Sequence, residues 1–519
     1  MTITKKARQA LRNAPARSAF TRLLAVAAVA MPFAAQAAPS CADVLAGLGA
    51  KLADATCVAS SDLTTANPAT TPANNSVASL PAGAFTPTTD RSVIAPSAAK
   101  KTPITKAVPG LQINARMADD ATGQGRFLLR LPADWNGRLV VAGASGTRSE
   151  FNGDFAWSDY VLQQGYAYAS QNKGVLNLRI ASTSSPTPPN ALACRLNPNS
   201  AFWVNFYDND DGQPFTRWRD FMVQAAKLAH VGVKAAYGQG PRHSYAVGTS
   251  NGGYQVRRAI ESAPELFDGG VDWEGTFVDA HAPNLLTDLP AAVLNFADYV
   301  ASGHDPNGTA AKNILAAGYP PDIVLSPTST LWTNHWAGFW EVTQCQWQKR
   351  LDPGYDTYAS GPANYNYVAR QTVSDVGAQL DAFATTGRIR RPLITVAGTM
   401  DTLLPIDHHA RAYARAVAAA SGDRDHDGDR KGEGKGERDR DGRPAYRLYE
   451  IQNGNHIETY QDTFNQLELI EPHAQRAFDL LVAHVEQKQP LPPDQCVPRR
   501  GSISTPAAQP GHCARLFEP

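Results

Sequence analysis

One short segment constrains the fold of this chain more than any other, because it combines a strand, a sharp turn and a helix. An apolar run that starts at Tyr245 ends in Gly248-Thr249-Ser250-Asn251-Gly252, and a helix-capable stretch follows from Tyr254 to about Ser262. Strand, Gly-x-Ser-x-Gly and helix in this order form the context in which a serine becomes a nucleophile. A Cβ at either glycine would collide with the neighbouring strand or helix. A chance match in a glycine-rich loop is the alternative.

Strand-like and helix-like segments alternate on both sides of this motif. The predicted strands are Arg126–Leu131, Arg138–Ala142, Tyr166–Ser170, Gly269–Trp273, Pro392–Ala397 and Tyr446–Ile451. The predicted helices are Phe155–Gln164, Phe215–Tyr237 and Pro472–Gln487. Apolar strands separated by helices indicate a mostly parallel central sheet with helices on both faces. Together with the serine motif, this pattern predicts an α/β class chain with an α/β-hydrolase fold.

The alternation lapses between residues 284 and 376, where several tryptophans occur. We interpret this stretch as an inserted lid whose aromatic side chains line a substrate pocket. The alternative is an ordinary helical subdomain whose tryptophans fill its own core. The predicted organisation is a signal peptide at 1–37, an N-terminal arm at 38–110, the first half of the core at 111–283, the lid at 284–376, the second half of the core at 377–487, and a disulfide-pinned tail at 488–519.

The N-terminus has the features of an export signal. Six basic residues between Lys5 and Arg22 precede an apolar run from Leu23 to Ala35, and Ala35-Gln36-Ala37 supplies a small-x-small cleavage site. Because the apolar run is too short to span a bilayer, we predict cleavage near Ala37 and export to the periplasm or the outside medium. A retained anchor is the alternative, since the basic region is long.

Six cysteines follow the predicted signal, and an even number in an exported chain indicates disulfide bonds. Proximity along the chain favours two short pairings and leaves a third: Cys41 with Cys57, Cys496 with Cys513, and Cys194 with Cys345. No Cys-x-x-Cys or Cys/His cluster has zinc-like spacing, so the cysteines do not predict a metal site.

The charge composition does not indicate a nucleic-acid partner. Lys plus Arg and Asp plus Glu each number 48, so no net charge indicates nucleic acid. Charge is concentrated in residues 421–443, where the pattern Asp-x-Asp-x-Asp-Gly from Asp423 to Gly428 resembles the start of a calcium-binding loop. The position that should supply the closing bidentate acid is Gly434, so a mobile, solvated surface loop is predicted instead.

Two segments after predicted strands supply the partners that a serine nucleophile needs. A serine hydroxyl requires an imidazole as general base and a carboxylate that fixes the imidazole tautomer. Asp401 follows one strand and His456 the next, and the order Ser, Asp, His along the chain is that of α/β-hydrolases. We therefore predict a catalytic triad of Ser250, Asp401 and His456. Weaker candidates for the acid and the base are Asp407, His408, His409, His473 and His484.

An acyl-transfer intermediate also needs two preorganised N–H donors for its negatively charged oxygen. One donor is predicted to be the backbone N–H of Asn251, directly after the nucleophile. The other is predicted to come from the loop that begins at Gly143, with Ser145 or Gly146 favoured.

Several segments together resemble the tannase and feruloyl esterase family of secreted serine esterases. The similarity spans most of the chain after the signal and is weak between residues 284 and 376. The segments that carry it are Cys41–Leu45, Leu80–Phe85, Leu131–Arg138, Gln164–Ala167, Ser250–Gly253 and Phe267–Gly270. Asp401 and His456 stand where that family keeps its acid and its base, so the resemblance implies the same triad.

Two features mark the chain as a divergent member of that family. The family usually has a cysteine directly before the nucleophile and another directly after the histidine, joined in a disulfide. Here these positions are Thr249 and Ile457. The family's lid also commonly binds a structural calcium, and residues 284–376 contain no convincing acidic cluster for one.

The combined prediction is a secreted carboxylic-ester hydrolase that acts through an acyl-enzyme on aromatic or phenolic esters. Its partner would be a small or oligomeric ester, with no cofactor, no nucleic acid and no membrane span. One alternative is a hydrolase of polyesters such as polyhydroxyalkanoate or of hydroxybutyrate oligomers. Another is a catalytically inactive hydrolase fold used for binding, which the complete set of Ser, Asp and His disfavours.

Overall fold

A computed structural model gives the fold of the chain. It describes residues 39–71, 97, 100–146, 148–182, 193–207, 214–355, 364–422 and 445–519. The predicted signal and nearly all of the predicted charged loop therefore lie outside the described residues. In the part of the chain that is described, no helix is long and apolar enough to cross a bilayer.

The strands and helices follow the predicted alternation. In chain order the strands are β1 Leu52–Ser60, β2 Gly110–Met117, β3 Arg126–Pro132, β4 Arg138–Gly143, β5 Ala167–Gln171, β6 Leu176–Ser182, β7 Cys194–Arg195, β8 Phe202–Tyr207, β9 His243–Thr249, β10 Gly269–Trp273, β11 Val324–Ser326, β12 Ser329–Thr330, β13 Leu393–Gly398, β14 Tyr446–Ile451, β15 Gln495–Val497 and β16 Gln509–Pro510. The helices are α1 Cys41–Leu48, α2 Asp159–Leu162, α3 Pro214–Tyr237, α4 Asn251–Ser262, α5 Leu285–Ala301, α6 Thr309–Ala316, α7 Leu331–His335, α8 Glu341–Leu351, α9 Tyr367–Gln371, α10 Val376–Asp381, α11 Ala410–Gly422 and α12 Glu471–Gln487. Each predicted strand lies within one residue of an observed strand.

The helix predicted over Phe155–Gln164 is shorter than expected. A π-helical turn at Asp154–Ser158 leads into α2, which ends at Leu162. A similar turn at Trp336–Trp340 leads into α8.

One large sheet organises the molecule, with the strand order β1-β2-β3-β5-β4-β9-β10-β13-β14-β15-β16. Neighbouring strands from β5 to β15 run parallel. The strands β1, β2 and β3 at one side and β16 at the other pair antiparallel. This mostly parallel sheet with helices on both faces is an α/β-hydrolase fold, as predicted.

Successive residues of the central strands enter two different cores, because side chains alternate between the faces of a sheet. On one face Leu129, Val141 and Ala246 pack with α1, α3, α4 and α11. On the other face Val140 and Tyr245 pack with α2 and α12. Burial on both faces explains why these strands are apolar without a polar alternation.

Two features of the fold add to what the sequence analysis described. Strand β1 pairs with β2 and so extends the central sheet itself. Strands β6, β7 and β8 form a separate three-stranded sheet, which we did not predict. Its pairing is antiparallel, with β8 in the middle.

The six cysteines form three disulfides, and these are the pairings that proximity favoured. Cys41–Cys57 and Cys496–Cys513 close short loops at the two ends of the described chain. Cys194–Cys345 joins residues 151 positions apart and ties the small sheet to α8. Disulfides are typical of proteins folded in an oxidising compartment.

Candidate active site

Ser250 lies between β9 and α4 in a strained backbone conformation, with φ 59° and ψ −122°. The turn is sharp because glycines allow backbone segments to touch. A Cβ at Gly248 would lie 2.4 Å from the carbonyl carbon of Gly252, and a Cβ at Gly252 would lie 2.6 Å from the carbonyl oxygen of Gly143. Strain of this kind occurs mainly where function requires it. The turn leaves Ser250 9% exposed at the carboxyl edge of the sheet.

His456 and Asp401 lie beside this serine. The Nε2 atom of His456 is 2.9 Å from the Oγ of Ser250, and its Nδ1 atom is 2.8 Å from Oδ2 of Asp401. Because a carboxylate accepts hydrogen bonds, Nδ1 carries the proton and Nε2 is free to accept one from the serine. Oδ1 of Asp401 accepts from the backbone N–H groups of Leu403 and Leu404 at 2.8 and 2.7 Å, which stabilises the ionised carboxylate. The geometry is that of a nucleophile, a base and an orienting acid.

The other acids and histidines that competed for these roles are engaged elsewhere. Asp407 pairs with Arg411 at 3.0 Å. His408 and His409 both contact Asp288, at 2.8 and 3.3 Å. In α12, His473 is buried, and Nδ1 of His484 lies 2.8 Å from the carbonyl oxygen of Gln489.

The structure distinguishes the N–H groups predicted as oxyanion donors by whether they already have a hydrogen-bond acceptor. Asn251 is the first residue of α4, where helical N–H groups have no partner within the helix. The N–H of Ser145 is used by Oδ1 of Asn152 at 2.8 Å, so this donor is not available to a substrate. Gly146 lines the cavity beside Ser250, and a Cβ placed on it would meet nothing nearer than the side-chain nitrogen of Asn251 at 3.9 Å. The structure therefore favours Gly146 over Ser145.

A residue that we did not predict completes this polar cluster. Glu274 directly follows β10, is 3% exposed, and has a positive φ of 51°. Its Oε2 lies 3.6 Å from Nδ1 of His456, and its Oε1 accepts from the N–H of Gly398 at 2.9 Å. Burial and the neighbouring charge of Asp401 raise the pKa of Glu274 well above its usual value. The sequence signal was weak: Glu274 is an acid directly after a core strand, a position that turn-capping acids also occupy.

A cavity of about 320 Å³ opens in front of Ser250 and His456. We call the part of the lining that contains Ser250 and His456, with Leu403 and Leu404 of the loop that carries Asp401, the triad wall. The apolar part of the lining, the apolar wall, combines Leu178, Leu196, Val204 and Phe206 in and next to the small sheet with Phe339, Val342 and Trp347 of the insertion. An apolar cavity that contains a few polar groups is the usual form of a small-molecule site.

The tryptophans of the insertion divide between the two roles that the sequence left open. Trp332 and Trp340 are at most 1% exposed and pack in the insertion's own core. Trp347 belongs to the same core and also lines the cavity. The interpretation of residues 284–376 as a lid stays a prediction.

The insertion is tied to the triad wall by hydrogen bonds. Nε2 of His335, in α7, donates to Oδ1 of Asn455 at 3.3 Å, and Asn455 in turn donates to Thr402 at 2.9 Å. The indole N–H of Trp340 donates to the carbonyl oxygen of Thr402 at 2.7 Å. Burial lowers the pKa of His335 to about 3, so its ring is neutral at ordinary pH. These bonds join the loops that carry Asp401 and His456 to the insertion.

Within the described residues, Glu274, Asp401 and His456 form the one group of potential metal ligands that lie close together. The hydrogen bond between Asp401 and His456 accounts for two of its members. The calcium-like pattern that starts at Asp423 lies outside the described residues. The six cysteines are all paired with one another in disulfides. No disulfide therefore joins the position directly before Ser250 to the one directly after His456, which are Thr249 and Ile457.

The fold and the arrangement of Ser250, His456 and Asp401 place the chain in the α/β-hydrolase class. A family model described as 3HB-oligomer hydrolase matches residues 354–514, a stretch that contains Asp401 and His456 and begins after Ser250. Mono(2-hydroxyethyl) terephthalate hydrolase from Piscinibacter sakaiensis is 27% identical over 149 residues. That alignment covers 28% of this chain and 22% of the relative, so the similarity spans about a fifth of the relative's length.

Two solved esterase structures are also similar. Feruloyl esterase B from Aspergillus oryzae has 13% identity and a TM-score of 0.42, and the alignment covers 84% of this chain and 87% of that structure. Tannin acyl hydrolase from Aspergillus niger has 12% identity and a TM-score of 0.43, with 78% and 87% covered. At this level of similarity, membership of the tannase and feruloyl esterase family stays a prediction.

Proposed function

We propose that this protein hydrolyses carboxylic esters through an acyl-enzyme on Ser250. The observation that carries the proposal is the continuous series of contacts from Ser250 through His456 to Asp401 at the end of an apolar cavity. The matching family model and the Piscinibacter relative both have names of hydrolases, which supports hydrolysis as the reaction class.

In the first half of the reaction, Oγ of Ser250 attacks the ester carbonyl carbon while Nε2 of His456 accepts the hydroxyl proton. The carbonyl oxygen becomes negatively charged and is stabilised by the backbone N–H groups of Asn251 and Gly146. The C–O bond to the alcohol then breaks, and His456 returns the proton to the departing oxygen. Asp401 keeps the imidazole in the correct tautomer and stabilises its cation.

In the second half, His456 takes a proton from water, and the resulting nucleophile attacks the acyl carbon bonded to Ser250. The acid is released when the serine oxygen recovers the proton from His456. The N–H of Ser250 itself donates to the carbonyl oxygen of Trp273 at 2.9 Å and so serves the turn instead of the oxyanion.

We propose that the acyl group is apolar and aromatic. Phe206, Phe339 and Trp347 on the apolar wall supply flat surfaces for an aromatic ring, which side chains of this kind bind by stacking. The name of the Piscinibacter relative is that of a hydrolase for an aromatic ester, a terephthalate.

A second candidate substrate is an oligomer of 3-hydroxybutyrate. The family model described as 3HB-oligomer hydrolase supports it, because the matched region includes the acid and the base of the site. An aliphatic chain would also be compatible with Leu178, Leu196 and Val204.

We further propose that the protein is exported. The basic and apolar N-terminal segment supports this, and so do the three disulfides.

The test is turnover of an ester panel by the purified protein and by Ser250→Ala. The panel contains short p-nitrophenyl esters, methyl ferulate, methyl gallate, mono(2-hydroxyethyl) terephthalate and a hydroxybutyrate oligomer. Loss of the nucleophile is expected to lower kcat by roughly 10⁴-fold or more. The best substrate distinguishes the aromatic from the aliphatic proposal. Equal turnover by the wild type and Ser250→Ala would exclude the serine mechanism and favour a binding role.

A further inference from the structure

Glu274 is a buried acid beside the triad that the proposed reaction leaves without a role. It lies at the end of β10, the strand between β9, which ends beside Ser250, and β13, which leads to Asp401. The N–H of Glu274 donates to the carbonyl oxygen of Val396 at 2.9 Å. The fold thus places a second carboxyl group on the same sheet edge as the triad.

The two oxygens of Glu274 have different surroundings. Oε1 accepts from the N–H of Gly398, whereas Oε2 is buried, near the Trp273 side chain, and faces Nδ1 of His456 at 3.6 Å. Ligand atoms of Glu274, Asp401 and His456 all lie within 4.8 Å of one another. A buried carboxyl oxygen that faces the imidazole at this distance requires an explanation.

Two carboxylates so close together cannot both be ionised without a large electrostatic cost. Asp401 is the better stabilised anion, because two backbone N–H groups and His456 donate to it. Glu274 accepts one backbone N–H, and another buried acid, Glu458, adds repulsion. Burial and the neighbouring charge of Asp401 therefore both raise the pKa of Glu274.

We propose that Glu274 is a second acid for His456, a positioning residue that orients the imidazole through Nδ1 when Asp401 does not. The proposal rests on the proposed triad and goes beyond it. Removal of the Asp401 carboxylate leaves Nδ1 of His456 without its acceptor, and it also removes the like charge that adds to burial in raising the pKa of Glu274. Oε2 of Glu274 then accepts the Nδ1 hydrogen bond after a movement of less than about 1 Å, the difference between 3.6 Å and a normal hydrogen bond.

The test is a double-mutant cycle of Glu274→Gln and Asp401→Ala. Glutamine is nearly isosteric and keeps an acceptor for the N–H of Gly398, so the single change preserves the structural contact. The readout is the rate at which a fluorophosphonate, a general reagent for activated serines, labels Ser250. This rate reports nucleophile activation without knowledge of the natural ester. Hydrolysis of p-nitrophenyl butyrate is measured in parallel.

We expect Glu274→Gln alone to lower the labelling rate less than Asp401→Ala does, because Asp401 still orients the imidazole. Asp401→Ala is expected to lower the labelling rate roughly 10- to 100-fold. The double variant should lower it on the order of 10⁴-fold, which is the loss typical of a triad without its acid. The one-dimensional proton NMR spectrum supplies a second readout. A downfield His456 Nδ1 proton signal should persist in Asp401→Ala and disappear in the double variant.

Glu471→Gln is the matched control. Glu471 is also a buried glutamate, and burial raises its pKa to about 7, but its side chain bonds to Thr102 and Gln475. Glu471→Gln should change the labelling rate by the same factor in the wild type and in the Asp401→Ala background. If Asp401→Ala does not fold, as judged by circular dichroism, Asp401→Asn replaces it.

An equal or smaller effect of Glu274→Gln in the Asp401→Ala background would overturn the role of Glu274 and leave the proposed function intact. Failure of the wild-type protein to be labelled at Ser250 would instead overturn the serine mechanism, and the role of Glu274 with it.

Discussion

The triad wall and the apolar wall line the same cavity, yet different forces build them. The triad wall depends on backbone: glycines without Cβ atoms, a strained Ser250, and N–H groups that bind Asp401. The apolar wall depends on side-chain packing and on the disulfide between Cys194 and Cys345. Backbone constraints tolerate almost no change, whereas packed side chains adapt. The triad wall should therefore fix the chemistry, and the apolar wall the choice of ester.

The largest expected effect is on the triad wall. In Gly248→Ala the new methyl group meets the backbone of Gly252, which cannot move without displacing Ser250. We expect kcat to fall roughly 100-fold or more, because small displacements of a nucleophile cost this much. Gly240→Ala is the control, since a Cβ there has no neighbour within 4 Å. Kinetics on a short p-nitrophenyl ester measures both, and equal activities would show that the turn is not so constrained.

Removal of the disulfide behind the apolar wall should affect stability more than chemistry. Chain-entropy estimates predict a loss of about 4 to 5 kcal/mol for the Cys194→Ser/Cys345→Ser variant, whose loop spans 151 residues. The Cys41→Ser/Cys57→Ser variant, with a separation of 16, should lose about 3 kcal/mol. Urea unfolding measures both. Under conditions where each remains folded, turnover of a small ester should be retained; its loss would mean that the apolar wall also positions the triad.

A substitution that fills the cavity should change the choice of ester more than the chemical step. Val342 is buried on the apolar wall, so Val342→Phe places a ring where an aromatic acyl group would bind. We expect kcat/KM for methyl ferulate or its best aromatic replacement to fall about 10- to 100-fold. Turnover of p-nitrophenyl acetate should change less than about threefold, because its acyl group is small. Val300→Phe, at a residue of α5 that is 43% exposed, should change neither. Equal losses of turnover on both esters would contradict the assignment of substrate choice to the apolar wall and of chemistry to the triad wall.

The smallest expected effect concerns the link between the insertion and the triad wall. His335 is neutral when folded, whereas an unfolded histidine is protonated below about pH 6.5. The unfolded state therefore binds more protons, and stability is lost as the pH falls from about 6.5 toward about 3. The expected loss is about 1 kcal/mol per pH unit.

Replacement of His335 by Gln should remove this part of the pH dependence. Unfolding free energies at pH 7 and pH 5 measure the effect. His281→Gln serves as the control, because the His281 side chain is 89% exposed. If the free energy of unfolding changed equally with pH in the wild type and in His335→Gln, buried His335 would not be the source of this pH dependence.

Much of the site could be predicted because its parts are local in sequence. Ser250 is marked by its glycines, and Asp401 and His456 are marked by the strands that precede them. Ser145 was a weaker prediction, because the choice between two adjacent N–H groups depends on the side chain of Asn152 seven residues away. Glu274 was missed because nothing local distinguishes an acid beside an imidazole from an acid that caps a turn.

By itself the sequence determined the alternation of strands and helices, the serine turn, and the order of acid and base along the chain. Periodicity and glycine placement encode these features within a few residues. The tertiary structure alone decided which groups meet: the small sheet and the triad at one cavity, the division of the tryptophans between core and cavity, and the position of Glu274 beside His456. Such contacts join residues that are far apart in the chain, and the packing of the whole sheet sets their distances.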